Sequence, residues 1–286
     1  MIYGGLVLKV ALLSKNFENE NFVIAKNVLS KLLSLGCEVL MPSESEKYFF
    51  GCNKITYTKD LNEAVEKSDM SAVIGGDGSV IHYAKISAQF DKSVFGVNAG
   101  HLGFLSSCEK DDLAVISEIV DRKYSEISRM IMEVQFDNKK LIALNDMAIN
   151  RDAFSRVLRF EVYSGNNLIY ECRSDGIICA TPTGSTAYSF SAGGPVVDSA
   201  LECFVLTPVC PHSVFRFSSV VGAEHEIKLC IQGERAVISA DGNTLGLTSR
   251  HENIITIKKS KSKAKIIMPQ NSNLYDRIYN KLSKNI

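Results

Sequence analysis

Gly75-Gly76-Asp77-Gly78-Ser79 follows directly on the apolar run Met70 to Ile74, and this junction carries the strongest chemical signal in the chain. Three glycines around one carboxylate let the backbone turn tightly and approach a ligand closely, because no Cβ obstructs it. The carboxylate is thereby held where a bound phosphate could arrive. Taken alone, the pentapeptide also reads as an ordinary strand-to-helix turn with Asp77 as the helix N-cap. Two further stretches weigh against that. Asn98-Ala99-Gly100-His101-Leu102-Gly103-Phe104-Leu105 is a second glycine-rich turn after the following strand. In an open α/β sheet, ligands sit outside the carboxyl ends of the strands, so two such turns at consecutive strand ends would face one crevice. The third stretch, Thr181 to Pro195, is a run of hydroxyls, glycines and one tyrosine without a single charge. Its hydroxyls and amides can hydrogen-bond an adenine edge and a ribose, while Tyr188 offers a ring for packing.

These turns need elements to position them. Leu6 to Leu13 has strand length, Phe22, Ala25, Leu29 and Leu32 recur at helical spacing until Gly36, and Val39 and Leu40 begin another strand. Asp60 with Glu63 predicts a capping box opening a helix to Lys67. Ser71 to Ile74 reads as a buried strand, Ser79 to Gln89 as a helix and Val94 to Val97 as a strand. Strands alternating with helices imply a parallel, Rossmann-like sheet. From Ser128 the texture changes to short strands: Met130 to Phe136, Leu141 to Ile149, Val157 to Tyr163, Leu168 to Cys172, Ile227 to Ile231, Ala236 to Ala240 and Ile254 to Ile257. Asp137-Asn138-Lys139 and Gly165-Asn166-Asn167 carry hairpin chemistry between them. The expected fold is an α/β domain over residues 1–112 that carries the glycine-aspartate turn, followed by a mainly antiparallel β-rich domain over 113–265 that carries the Thr181 to Pro195 loop. Residues 266–286 then form a closing segment whose helix (Leu274, Ile278, Leu282) packs back on the first domain.

The 286 residues are 45% apolar and 22% charged, ordinary for a globular protein with core enough for an enzyme. Lys+Arg and Asp+Glu stand at 32 each, so no global field draws the chain to nucleic acid or an anionic membrane. The cluster Lys258, Lys259, Lys261, Lys263 and Lys265 lacks interleaved aromatics and reads as a solvated strand end. Eight scattered cysteines without a Cys-x-x-Cys pair fit reduced thiols better than a zinc site. With neither a signal-peptide pattern nor an 18-residue apolar run, the chain is expected to be cytoplasmic and unanchored. P-loop, H-E-x-x-H and G-x-S-x-G patterns do not occur, and Gly76-Asp77-Gly78 lacks the third glycine of a dinucleotide fingerprint.

Gly75 to Gly78, Asn98 to Leu105, Asn145-Asp146, Ser174-Asp175-Gly176, Thr181 to Pro195 and Thr207-Pro208-Val209-Cys210-Pro211-His212-Ser213 occur in this order over about two-thirds of the chain. In this respect the sequence resembles the NAD kinase family, of bacterial type, which phosphorylates the 2′-hydroxyl of the adenosine ribose of NAD to give NADP. The glycine-aspartate turn alone is shared with lipid kinases of the diacylglycerol type and with phosphofructokinases. The resemblance implies that Asp77 is the catalytic carboxylate, taking or orienting the proton of the ribose hydroxyl, with Gly76, Gly78, His82 and Asn98 beside the nucleotide. It implies that Asn145 and Asp146 contact adenine and ribose hydroxyls and that Asp175 lies near the nicotinamide amide. Thr183, Thr186, Ala187, Tyr188, Ser189, Phe190 and Ser191 would line the dinucleotide loop. Arg156 and Arg173 match positions of basic binding residues and read equally well as surface charge on hairpin strands.

Ser79 replaces the commoner threonine, Asn243 stands where glutamine is usual, and Ser14-Lys15-Asn16 lacks the family's Asn-Pro turn. The resemblance further implies ATP or another phosphoryl donor, Mg²⁺ carried by the phosphates with no protein-built metal site, and a homodimer or homotetramer. The alternatives are a diacylglycerol-type lipid kinase of related fold and a non-catalytic NAD(P)-binding regulator. The polar loop Thr183 to Ser191 opposes the first, and the presence of Asp77 opposes the second.

Overall fold

A computed structural model of the chain describes residues 7–100, 103–152, 156–214, 216–232, 235–248 and 253–270. Two units result, one made of the chain up to Ser128 together with the segment from Ala264, the other of Arg129–Lys263. The expected helix around Leu274, Ile278 and Leu282 lies outside the described residues, as do Leu6, His101 and Leu102.

In the first unit, strands β1 (Lys9–Ser14), β2 (Glu38–Pro42), β3 (Ile55–Thr58), β4 (Met70–Ile74) and β5 (Ser93–Asn98) pair in parallel, in the order β5-β4-β1-β2-β3. Short β6 (Cys108–Glu109) adds to β5, as do Lys265 and Ile266 of the last strand. The consecutive residues Ala11, Leu12 and Leu13 of β1 and Ala72, Val73 and Ile74 of β4 are all buried although neighbours along a strand point to opposite faces, as a sheet covered on both faces requires. Helix α1 (Asn19–Ser34) buries Ile24, Ala25, Val28, Leu29 and Leu32, one stripe at helical spacing, and the chain leaves it through Gly36 at φ +78°. Helix α2 (Leu61–Lys67) is capped as the sequence predicts on one side: Asp60 accepts the Glu63 N–H at 2.9 Å. The Glu63 carboxylate reaches back one residue further, to the N–H of Lys59. Helix α3 (Asp77–Gln89) starts two residues before the expected Ser79, and α4 (Ala114–Val120) completes the unit. The register aligns Ser14 with Ile74 and Ile74 with Val97, so both glycine-rich turns leave from adjacent strand ends.

The second unit is built from antiparallel strands, the first of which begins, and the last of which ends, in the first unit. They are β7 (Tyr124–Phe136), β8 (Lys139–Ala143), β9 (Asp146–Arg151), β10 (Leu158–Ser164), β11 (Asn167–Ser174), β12 (Gly176–Ala180), β13 (Cys203–Val209), β14 (Ser219–Gly222), β15 (Ile227–Gln232), β16 (Ala236–Ala240), β17 (Asn243–Leu247) and β18 (Asn253–Pro269). One sheet runs β14-β13-β12-β9-β16-β17, and β11, β10, β15 and the first half of β18 pair in a second. Phe160, Phe204, Leu206, Ile238 and Ile255 belong to one apolar cluster inside this unit. Asp137-Asn138, Gly165-Asn166 and Asp241-Gly242 are two-residue hairpin turns, with Asp137, Gly165, Asp241 and Gly242 at positive φ. The single strand expected over Leu141 to Ile149 is two strands. The break falls at Leu144-Asn145, whose N–H groups are taken by the side chain of Asp241 instead of a neighbouring strand. The lysine cluster lies within β18 rather than at its end. Lys258 meets Glu133, Lys259 and Lys263 both meet Glu202, and in the first unit Lys265 meets Asp91.

All eight cysteines are free thiols, six of them buried. Among the described residues no helix is long and apolar enough to cross a membrane.

Candidate functional site

The chemistry-bearing residues form two centres, one in each unit. In the first, Gly75 stands at φ +143° and donates its N–H to Val97 O at 3.1 Å, and a Cβ there would run into Ser79. Glycine is therefore required, and the chain enters α3 with Gly76 as N-cap and no side-chain cap. Asp77 is the first helical residue, not the cap. Its carboxylate is turned onto the neighbouring glycine-rich turn, where Oδ2 accepts the Phe104 N–H at 2.9 Å and Oδ1 the Leu105 N–H at 3.0 Å. Gly103 makes this approach possible, since a Cβ there would lie 2.5 Å from Asp77 Oδ1. Asn98 is fully buried, accepts the Gly100 N–H at 3.1 Å and donates to Glu109 at 2.8 Å, so it holds the turn in shape. Gly78 is exposed, and His82 lies further along α3 with its ring edge-on to Tyr83. Partial burial, then the charges of Lys15 and Lys85, hold the His82 imidazole below its ordinary pKa.

The second centre is the corner between β8 and β9. Asp146 is 8% exposed and sits beside Asp241. Burial first, and the Asp241 charge second, raise its pKa from 3.8 to about 6, while an N–H from Tyr188 pulls the other way. The corner is braced from β12: Thr181 N–H donates to Asn145 O at 2.8 Å and Thr181 Oγ1 to Leu144 O at 2.6 Å. Thr181 Oγ1 also accepts the Gly184 N–H at 3.2 Å. Gly184 packs so closely on the Asn145 carbonyl that a Cβ would occupy the same space. The loop itself is structured: a 3₁₀ turn over Thr183–Thr186, then the short helix α5 (Tyr188–Ser191). Tyr188 OH donates to Asn150 at 3.2 Å, which fixes the ring at the edge of the corner.

The structure thus brings Asn145, Asp146, Thr183, Thr186, Ala187 and Tyr188 together, as it does Gly76, Asp77, Gly78 and Asn98 in the other unit. Other expected residues stand apart or face elsewhere. Ser189 is buried against Thr207 at 2.9 Å, whereas Phe190 and Ser191 are exposed on the outer side of α5. Asp175 forms an ion pair with Arg151 at 3.0 Å. Arg156 and Arg173 are exposed, and the Arg173 main chain is tied to His212 and Ser213. Asn243 is exposed, with its amide 3.4 Å from Asp241 O. Asp241 itself was not legible from the sequence, where Asp-Gly after a strand signals only a hairpin.

The ATP-NAD kinase N-terminal domain family matches residues 10–124, and the ATP-NAD kinase C-terminal domain family matches residues 144–268. An NAD kinase of Caldanaerobacter subterraneus subsp. tengcongensis is 35% identical over 284 residues, 96% of this chain and 99% of its own length. One of Shewanella woodyi is 35% identical over 240 residues, covering 81% of this chain and 80% of its own. Among solved structures, yeast NADH kinase complexed with NADH superposes with a TM-score of 0.86 at 22% identity, over 99% of this chain and 89% of that one. The NAD kinase of Archaeoglobus fulgidus in complex with ATP gives 0.72 at 24% identity, over 96% and 99%.

Proposed function

The chain belongs to the NAD kinase family of phosphotransferases, and we propose that the two centres divide its reaction between them. On this reading, Asp77 orients the 2′-hydroxyl of the adenosine ribose and takes its proton as the phosphoryl group of ATP is transferred. Asn145 and Asp146 receive adenine and ribose hydroxyls, and Thr183 to Tyr188 pack along the dinucleotide. The observation that supports it most is Asp77 itself, a half-exposed carboxylate pinned by two main-chain N–H groups among glycines that leave room for phosphate. Phosphoryl transfer through a loose transition state asks mainly for alignment and charge neutralisation, and such a turn supplies both: amides for the phosphates and a fixed acceptor for the hydroxyl proton. Gly76, Gly78, His82 and Asn98 shape the donor side, and Arg156, Arg173, Asp175, Ser189, Phe190, Ser191 and Asn243 are assigned to the periphery of the acceptor.

Among the described residues no three His, Cys, Asp or Glu side chains converge as a metal cage. On this reading a Mg²⁺ is held chiefly by donor phosphates and water and would neutralise phosphate charge when bound. A homo-oligomer in the cytoplasm completes the proposal.

The test is purified protein with Mg²⁺ and labelled ATP, offered NAD, adenosine or detergent-dispersed diacylglycerol, with the phosphate then located by NMR. Label on the 2′-hydroxyl next to adenine is expected. Label on the lipid and none on NAD would overturn the reading, because polar groups built for a dinucleotide are left unpaired by a lipid alcohol and reject it strongly.

A further inference from the structure

Asp241 lies in the turn between β16 and β17, at φ +45°, where Asp or Asn before glycine satisfies the backbone whatever its side chain does. Here the side chain points inward. Oδ2 accepts the Leu144 N–H at 2.9 Å, and Oδ1 accepts those of Asn145 at 2.8 Å and Asp146 at 3.3 Å. Three consecutive amides converging on one carboxylate form an anion-binding nest, occupied by a group from 95 or more residues away. The carbonyls of the same three residues are taken as well, Leu144 O and Asn145 O by Thr181 and Asp146 O by the Asp241 N–H at 2.9 Å. Every main-chain polar group of the corner is therefore fixed from outside it. Neither Asn145 nor Asp146 has to spend its side chain on holding its own backbone.

We propose that Asp241 is a positioning residue of the acceptor site, fixing through the amides of residues 144 to 146 where the Asn145 and Asp146 side chains meet the dinucleotide. This rests on the assignment of Asn145 and Asp146 to NAD. Asp241 acts on its neighbour in a second way. The groups bearing on the Asp146 carboxylate are Asp241, the buried Cys179 thiol on β12 and the Tyr188 N–H, with Tyr188 OH engaged by Asn150. Removing the Asp241 charge takes away a carboxylate that disfavours ionised Asp146, so the acid limb for NAD use should move to lower pH.

Asp241→Asn tests this, because Asn-Gly suits the same turn while setting one acceptor and one NH₂ group against three donors. KM for NAD should rise about 10- to 100-fold, the loss expected for misplaced charge-assisted hydrogen bonds. KM for ATP and kcat should stay within about threefold, and the acid limb of kcat/KM for NAD should shift down. An unchanged KM for NAD, an unmoved acid limb, or a fall in kcat and both affinities together with the melting temperature would overturn the proposal. Should Asp241→Asn not fold, Asp241→Ser removes the charge from the same turn and must give the same shift. Asp146→Asn, measured in parallel, separates the two layers. If it weakens NAD binding while Asp241→Asn does not, the positioning role alone fails; if it leaves NAD affinity unchanged, the acceptor assignment falls and the positioning role with it.

Discussion

Asp77 is half-exposed at a strand end with two main-chain N–H groups on its oxygens, whereas Asp146 is nearly buried, receives the N–H of Tyr188 and lies beside the second carboxylate of Asp241. Position is secured at both centres by main-chain amides, but the energetic setting differs. The first holds a charge where water still reaches it, as a group meant to meet a proton on an incoming hydroxyl requires. The second holds a charge against burial and a like charge, which stores unfavourable energy at the place where hydroxyl donors of a ligand would relieve it.

Replacing Asp77 should therefore have the largest effect on turnover. Asp77→Asn is expected to cut kcat by roughly 10²- to 10⁴-fold, the span of a lost positioned acid-base group, while NAD affinity changes little. Steady-state kinetics paired with calorimetric titration of NAD checks it. Retention of more than about a tenth of turnover would remove Asp77 from the chemistry. Because Asn keeps one acceptor for the Phe104 and Leu105 amides, the turn should survive, and unchanged affinity is the sign that it has.

Glycine substitutions sharpen the contrast. An alanine Cβ at position 103 meets the end of the Asp77 side chain, but at position 184 it meets the Asn145 carbonyl, which is main chain and braced by Thr181. Gly184→Ala should thus lower stability by about 3 kcal/mol, the upper part of the overpacking range, and weaken NAD binding with it. Gly103→Ala should cost less stability and more turnover. Denaturant unfolding of the two variants beside their kinetics would show this crossing, and parallel losses in both would break the distinction between the centres.

The first centre was legible because its signal is local. Gly75 to Ser79 directly follows the strand that aims it, and buried strands alternating with helices sufficed to place the second glycine turn on the adjacent strand end. The second centre was legible only in part. Asn145 and Asp146 could be named, but Leu141 to Ile149 reads as one strand, since apolar alternation carries no mark of amides captured by Asp241 97 residues on. Likewise Gly176–Ala180 and Cys203–Val209 pair as neighbouring strands, whereas the sequence marks only Gly176 and Thr207 to Val209 within them, as parts of motifs. Hydrogen bonds of such separation have no local pattern. Nor does burial of a single carboxylate, which depends on what the rest of the fold packs over it.

Asp146→Asn tests that burial, and its net effect on stability should be the smallest of these. The pKa of Asp146 in the folded chain is raised from 3.8 to about 6, so the folded state favours the protonated carboxyl more than the unfolded chain does. Its contribution is fully favourable below about pH 4 and is lost as pH rises through about 6. A shift of that size corresponds to an upper bound of about 3 kcal/mol at neutral pH. The new amide must find partners for its NH₂ group in the same corner, which offsets part of this, and a net gain of about 1 to 2 kcal/mol above pH 7 is expected. At pH 4 variant and wild type should differ little, while NAD affinity at pH 8 falls about 10- to 100-fold as ribose hydroxyls lose a charged acceptor. Denaturant unfolding at pH 4, 6 and 8, alongside NAD titration at pH 8, gives both readouts. A stability difference independent of pH would show that Asp146 carries no stored electrostatic cost, and the contrast between the two carboxylates would then reduce to geometry.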